Sequence, residues 1–424
     1  MRFPSGKAET GMAMEHGRSA PPDLSQPCCA IEGMTRLLSF VAGNFVVVLH
    51  SEPDCANLVL RDGRAVDPGR FFCSNLSEAD AIAGRSRARL VTAVREAVAR
   101  RRPAAVFVVG GCVAGVLADD VETLAGSIDL PRGVRLVALD GGAFTLHGQA
   151  AMVDRFTGVM AEAAPRRARR AAHAVNLVGF APDDGEAETM LRRAGIAIHA
   201  WPQLASAQEV WDELPGAALT VVSDMALFTR LAGILETKHR VPSIELAPPY
   251  GIGATERLYG GIAAHFGRTA RMRAAWGRER GAARRAVAAF RRRHAGRKLA
   301  FHVGSRKDFE LETLVRSGLA FVLLLVELGF AVEPMFQGAV EEAQRRRIDA
   351  LLAHHGLVLP YRCLPDRLSL AGALREGRFA AAYCSDSLRE EAGAAGVPIV
   401  AIGSLRPGFA GAVASCALLG GLLR

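Results

Sequence analysis

The feature that most constrains this chain is a repeated succession of a short apolar run, a polar connection and an amphipathic segment. The run Ala104–Val109 is representative, because it is apolar throughout and is followed by glycines. A strand that is apolar on both faces indicates a parallel sheet covered by helices on both sides. The succession recurs about three times within 424 residues. We therefore expect an α/β fold with about three Rossmann-like parallel-sheet units.

Composition and pattern also suggest where these units begin and end. A first segment rich in Pro, Gly and Ser is expected to be loosely ordered, and the arginine-rich run Pro165–His173 is typical of a linker. The stretch Thr255–His294 is expected to be helical and to bridge onward. The expected parts are the N-terminal segment 1–27, a first unit 28–165, a second unit with bridging helices 174–295, and a third unit 298–424.

The charge of the chain does not indicate a nucleic-acid protein. The formal net charge is +9, but only four of the 52 basic residues are lysines. Because no motif combines aromatic and basic residues, we interpret the arginines as solvated helix faces and expect no nucleic-acid partner. The longest apolar run, Leu319–Val326, is too short to span a bilayer, and the N-terminus lacks the apolar core of a secretory signal. We expect a cytoplasmic protein without a membrane association.

Three of the eight cysteines occupy similar places in the first unit. Cys29, Cys55 and Cys112 are each predicted on a loop beside the end of a strand or helix, and ligands bind at the carboxyl ends of parallel strands. In the cytoplasm, metal binding or burial is favoured over disulfides. Thiolates suit iron–sulfur clusters, but no Cys-x-x-Cys run is present. Spacing alone thus leaves a shared cluster open, with ordinary buried thiols as the default.

Four blocks in the first 125 residues change that balance. They are CCAIEG (28–33), HSEPDC (50–55), FFCSNLSEADAIAG (71–84) and GCVAGVLADDV (111–121). In this order they resemble the nitrogenase component 1 superfamily, which includes catalytic nitrogenase subunits, cofactor-assembly scaffolds and nitrogenase-like reductases. The motifs are most similar to those of α-type and scaffold chains. The matching positions are Cys29, His50, Cys55, Leu76, Glu78, Asp80, Gly84, Cys112, Asp119 and Asp120.

The resemblance implies a metal site shared between chains. It implies that Cys29, Cys55 and Cys112 ligate an iron–sulfur cluster of the 4Fe-4S or 8Fe-7S-like type. A homologous second subunit would supply the remaining ligands in a heterodimer or heterotetramer, and an ATP-dependent iron–sulfur reductase homodimer would deliver electrons. This chain has no phosphate-binding loop of its own. Asp54 is either an oxygen ligand or a solvated loop residue, and Cys73 is expected to be a packed thiol.

The chain also departs from the family pattern at the position of a second cofactor. Val222 stands where α-type chains hold the large cofactor with a cysteine, and the C-terminal histidine ligand is missing. Cys384 and Cys416 are either substitute ligands or buried core thiols. Arg306 and Lys307 lie on a predicted strand-to-helix loop, where they either hold carboxylates of a bound molecule or face solvent.

Three functions remain compatible with the sequence. The preferred hypothesis is a subunit of a nitrogenase-like two-component reductase that accepts electrons through the interfacial cluster. The alternative is a scaffold subunit for assembly of a nitrogenase-type iron–molybdenum cofactor. A degenerate structural subunit is disfavoured because all three cysteines are present.

Overall fold

The computed structural model describes residues 30–60, 67–117, 119–140, 148–165, 170–304, 318–366 and 368–423. Within these ranges the chain forms three separate, entirely parallel sheets. None of the helices in the described ranges combines the length and the apolar character needed to cross a bilayer. The expected fold class is confirmed.

The first sheet contains four strands in the spatial order β2-β1-β3-β4. Its strands are β1 (Phe45–His50), β2 (Phe71–Cys73), β3 (Ala105–Gly110) and β4 (Arg135–Asp140). Its helices are α1 (Ala30–Phe40), α2 (Pro53–Leu60), α3 (Glu78–Ile82), α4 (Ser86–Arg101), α5 (Cys112–Val116), α6 (Val121–Gly126) and α7 (Gly148–Ala163). Every residue of β1 and β3 is buried, as their uninterrupted apolar runs predict.

The second sheet has the order β6-β5-β7-β8. Its strands are β5 (Ala171–Val178), β6 (Ala197–Ala200), β7 (Ala217–Val222) and β8 (Ser243–Glu245). The helices that accompany and follow it are α8 (Glu186–Arg193), α9 (Gln208–Asp212), α10 (Met225–Thr237), α11 (Ile252–His265) and α12 (Thr269–His294).

The third sheet has five strands in the order β11-β10-β9-β12-β13. They are β9 (Lys298–Val303), β10 (Ala331–Gln337), β11 (Arg362–Leu364), β12 (Ala381–Cys384) and β13 (Ile399–Ala401). Its helices are α13 (Leu319–Glu327), α14 (Glu342–His354), α15 (Ser369–Gly377), α16 (Arg389–Ala394) and α17 (Gly408–Leu422).

One prediction about the connections is wrong. The proposed linker Pro165–His173 is not a linker at its end, because β5 begins at Ala171 and pairs there with Ala217 of β7. The stretch Thr255–His294 is helical as expected, and it consists of parts of α11 and α12, separated by three residues that include Gly267 in the left-handed region (φ 65°). Glycine adopts this conformation at little cost, so it ends the helix there.

Candidate metal centre

Three cysteines of the first unit lie at the carboxyl edge of the first sheet. Cys73 is the last residue of β2, Cys112 follows β3 by two residues, and Cys55 follows β1 by five. The strand register aligns Leu49 with Cys73 and His50 with Gly110, so the ends of β2, β1 and β3 are level. This common edge is where parallel sheets bind ligands.

The local setting of two cysteines differs from the loops predicted for them. Cys112 is the first residue of α5, and Cys55 lies in the first turn of α2. Both helices begin earlier than expected because Pro53 and Gly111 suit the start of a helix. Cys55 and Cys112 are both half-buried and belong to no disulfide. Their sulfur atoms are thus held on short helices at the edge and remain partly accessible.

Cys73 is a packed thiol of the kind the sequence suggests. Its Sγ donates to the carbonyl oxygen of Ser51 at 3.3 Å and accepts from the backbone N–H of Asn75 at 3.4 Å. Burial raises the pKa of Cys73 above its ordinary value. The Sγ of Cys55, in contrast, meets a side chain, the Oε1 of Glu52, at 3.3 Å.

A network of hydrogen bonds among His50, Ser74, Ser86 and Asp119 lies behind this edge. This network was not predicted from the sequence. Nδ1 of His50 lies 3.1 Å from Oγ of Ser74, and Nε2 lies 3.0 Å from Oγ of Ser86. Ser86 donates a short hydrogen bond to Oδ2 of Asp119, which lies 3.5 Å from Nε2 of His50. Burial lowers the pKa of His50 below its ordinary value, and the Asp119 carboxylate opposes this shift. The sequence did mark His50 and Asp119 as positions that match the family blocks. It gave no indication that the two side chains are in contact.

The other acidic positions of the blocks stabilise backbone. Asp80 forms a capping box with Ser77 at the start of α3 and binds Arg85 and Arg89, each at 2.9 Å. Hydrogen bonds from Ser77 and both arginines hold the pKa of Asp80 well below its ordinary value. Asp120 accepts from the N–H of Thr123 at the start of α6. These residues shape the two segments that follow β2 and β3.

Several predicted site residues lie outside the described ranges. They are Cys29, Arg306 and Lys307. In the part of the chain that the structure describes, no group of three or more His, Cys, Asp or Glu side chains is arranged to hold a metal ion. Cys55 and Cys112 are brought to one edge, and Asp54 beside Cys55 is exposed. The thiols themselves are the donors that an iron–sulfur cluster requires, but two of them do not complete a cluster site.

The second cofactor position contains no thiol in the described region of β7. Val222 is fully buried at the end of that strand, within the core between the first and second sheets. Cys384 and Cys416 are also buried, and burial raises the pKa of their thiols to about 12 and about 11. Both thiols are packed within hydrophobic cores.

A cavity of about 290 Å³ lies away from the cysteines, between β4, α7 and α10. Its lining includes Arg155 and Arg230. Arg155 is paired with Glu122, and Arg230 with Asp154 at 3.4 Å. These pairs neutralise the charges that would otherwise attract an anion.

Comparison with known proteins identifies the family. The family model for nitrogenase component 1 type oxidoreductases matches residues 29–346. This chain belongs to the nitrogenase component 1 family. The resemblance drawn from the four blocks is confirmed.

The individual relatives are of two kinds, a cofactor biosynthesis protein and a reductase subunit. The nitrogenase iron-molybdenum cofactor biosynthesis protein NifE of Klebsiella pneumoniae is 26% identical over 372 residues, which cover 81% of this chain and 78% of that protein. One subunit of the light-independent protochlorophyllide reductase of Methylobacterium sp. (strain 4-46) is 30% identical over 185 residues, 41% of this chain and 36% of that protein. A solved structure of nitrogenase Cp1 at pH 6.5 gives a TM-score of 0.69 at 15% identity, covering 97% of this chain and 95% of the other. This last match supports the nitrogenase component 1 fold alone.

Proposed function

We propose that this nitrogenase component 1 family member is a scaffold subunit for assembly of a nitrogenase-type metal–sulfur cofactor. The observation that carries the proposal is the placement of two half-buried thiols, Cys55 and Cys112, at one sheet edge of a family member. They would hold an iron–sulfur cluster together with Cys29. When bound, such a cluster supplies low-potential electron transfer, and the thiolates of this chain anchor and partly shield it.

A second chain is part of this proposal. Three thiolates do not satisfy four irons, so a homologous subunit would complete the site in a heterodimer or heterotetramer. Two large apolar side chains near the edge support such a partner: Val116, which ends α5, is 71% exposed, and Ile82, which ends α3, is 82% exposed. Exposed apolar side chains beside an incomplete site favour a protein contact.

The scaffold function now replaces the reductase function as the preferred hypothesis. NifE proteins of three organisms match this chain, and two of those matches extend over 81% of it. Val222 argues against a catalytic nitrogenase subunit but does not distinguish a scaffold from a reductase. The reductase function remains the second candidate, because a protochlorophyllide reductase chain is 30% identical over a shorter stretch.

Anaerobic co-purification with the second subunit allows the two functions to be separated. For a scaffold, we expect the iron-loaded complex to transfer a cluster to a cofactor-free nitrogenase component and restore its activity. With the ATP-dependent reductase homodimer and a tetrapyrrole substrate, we expect no turnover. Turnover without cluster transfer would overturn the scaffold proposal in favour of the reductase.

A further inference from the structure

The hydrogen-bond network of His50, Ser74, Ser86 and Asp119 connects the parts of the first unit that carry the edge cysteines. His50 ends β1, which leads to Cys55, and Ser74 directly follows Cys73. Ser86 begins α4, and Asp119 follows α5, which carries Cys112. The backbone N–H of Asp119 also donates to the carbonyl of Ala114 within α5 at 2.9 Å. These hydrogen bonds therefore hold α5 against the ends of β1 and β2.

The direction of each hydrogen bond follows from counting hydrogens. Ser86 has one hydroxyl hydrogen and gives it to Asp119, so Nε2 of His50 must donate to Oγ of Ser86. A neutral ring then accepts at Nδ1 from the hydroxyl of Ser74 at 3.1 Å, and that hydroxyl's single hydrogen cannot also serve the carbonyl oxygen of Ser51 at 3.3 Å. The Ser74 oxygen in turn receives the N–H of Ser51 at 3.1 Å. One tautomer of a neutral His50 thus accounts for both ring contacts, to Ser74 and to Ser86.

The hydrogen-bond network is too buried to be a catalytic site. His50 is fully buried, and Ser74 and Ser86 are only 4% and 6% exposed. A serine nucleophile needs access to its substrate, so this Ser, His and Asp set is not a hydrolytic triad. The network instead stabilises the local structure, because a buried polar group that loses its hydrogen-bonding partner lowers the stability of the fold.

We infer that His50, Ser86 and Asp119 are positioning residues that fix the helix carrying Cys112 relative to the segment carrying Cys55. This inference rests on the proposed cluster role of the two thiols and adds residues that would not touch the cluster. A cluster tolerates little variation in sulfur positions, so ligands held beforehand bind it more tightly than mobile ones.

The test uses the full chain and its complex with the second subunit. Ser86→Ala and Asp119→Ala each remove one hydrogen-bonding partner, whereas Ser86→Thr keeps the hydroxyl. Thr123→Ala is the matched control, since Thr123 binds Asp120 at the start of α6 but belongs to no contact of His50. Two readouts are needed: hydrogen exchange of the α5 amides in the metal-free chain, and the iron content and EPR spectrum of the complex.

We expect Ser86→Ala and Asp119→Ala to accelerate exchange of the Gly115, Leu117 and residue-119 amides by about tenfold or more. We expect both to lower iron retention and alter the EPR line shape, while Ser86→Thr and Thr123→Ala resemble the wild type. Unchanged exchange in both variants would overturn the inference. So would faster exchange with wild-type iron content and an unchanged spectrum. Full iron retention in Cys112→Ala would instead overturn the cluster role of that thiol, whatever the exchange rates are.

Discussion

At the scale of single residues, burial determines what the titratable side chains can do. His302 lies in β9, the middle strand of the third sheet, and is 9% exposed. Burial lowers its pKa to about 4, although the Glu391 carboxylate opposes the shift. The same effect keeps the Cys384 thiol protonated at neutral pH. In the third unit, burial therefore favours the uncharged forms of these two groups.

The lowered pKa of His302 predicts a pH-dependent loss of stability. A depressed pKa means that the folded state favours the neutral ring, so the contribution is complete above the ordinary pKa of about 6.5 and is lost as the pH falls toward 4. We expect about 3 kcal/mol of pH-dependent destabilisation from this group. In denaturant titrations at several pH values, His302→Asn should lack this component, whereas exposed His265→Asn should keep it. Equal pH dependence of His302→Asn and the wild type would contradict the assignment.

At the scale of elements, the central strands could be predicted from sequence, whereas two short edge strands, β2 and β11, could not. The apolar runs of β1, β3 and β9 are long enough to give a clear signal, whereas β2 and β11 have only three residues each. Helix α17 could not be predicted because its sequence is apolar on all sides and lacks a helical period. The starts of α2 and α5 at Pro53 and Cys112 depend on local turn geometry, which periodicity does not report.

The turn after β5 provides a test at this scale. Gly179 has a φ of 81°, and a Cβ there would lie 2.2 Å from Oγ of Ser223 and 2.4 Å from the Phe228 ring. Gly179→Ala combines backbone strain with a clash in a packed turn, so we expect a loss of at least about 3 kcal/mol.

The control for this substitution is Gly420→Ala. A Cβ at Gly420 meets nothing within 4 Å, and the residue lies inside α17. We expect a gain of about 0.5–1 kcal/mol because alanine favours helix more than glycine does. Chemical denaturation measures both effects, and similar stabilities for the two variants would show that the turn does not require glycine.

At the scale of the whole molecule, the three sheets share their cores. One buried cluster joins residues of the first and second sheets, such as Val47 and Val222, and another joins the second and third, such as Val221 and Phe301. The sheets thus support one another, while the cysteine edge of the first sheet keeps Val116 and Ile82 exposed. These shared cores support the sheet edge at which Cys55 and Cys112 lie.

The candidate site was only partly predictable from the sequence. Cys55 and Cys112 could be placed at one edge because parallel strands align their carboxyl ends. The contact between His50 and Asp119 joins residues separated by the whole of β2, α3, α4, β3 and α5. No periodic pattern encodes a contact of that kind, so it emerges only from the folded chain.

The central claim is that Cys55 and Cys112 hold a cluster at this edge. The most direct measurement is the iron content and EPR spectrum of the anaerobically purified complex for Cys55→Ala, Cys112→Ala and Cys363→Ala. Cys363 is an exposed free thiol in the third sheet and serves as the control. We predict that Cys55→Ala and Cys112→Ala lose most of the iron and the signal, while Cys363→Ala retains both. Full iron content and an unchanged spectrum in Cys112→Ala would contradict the account.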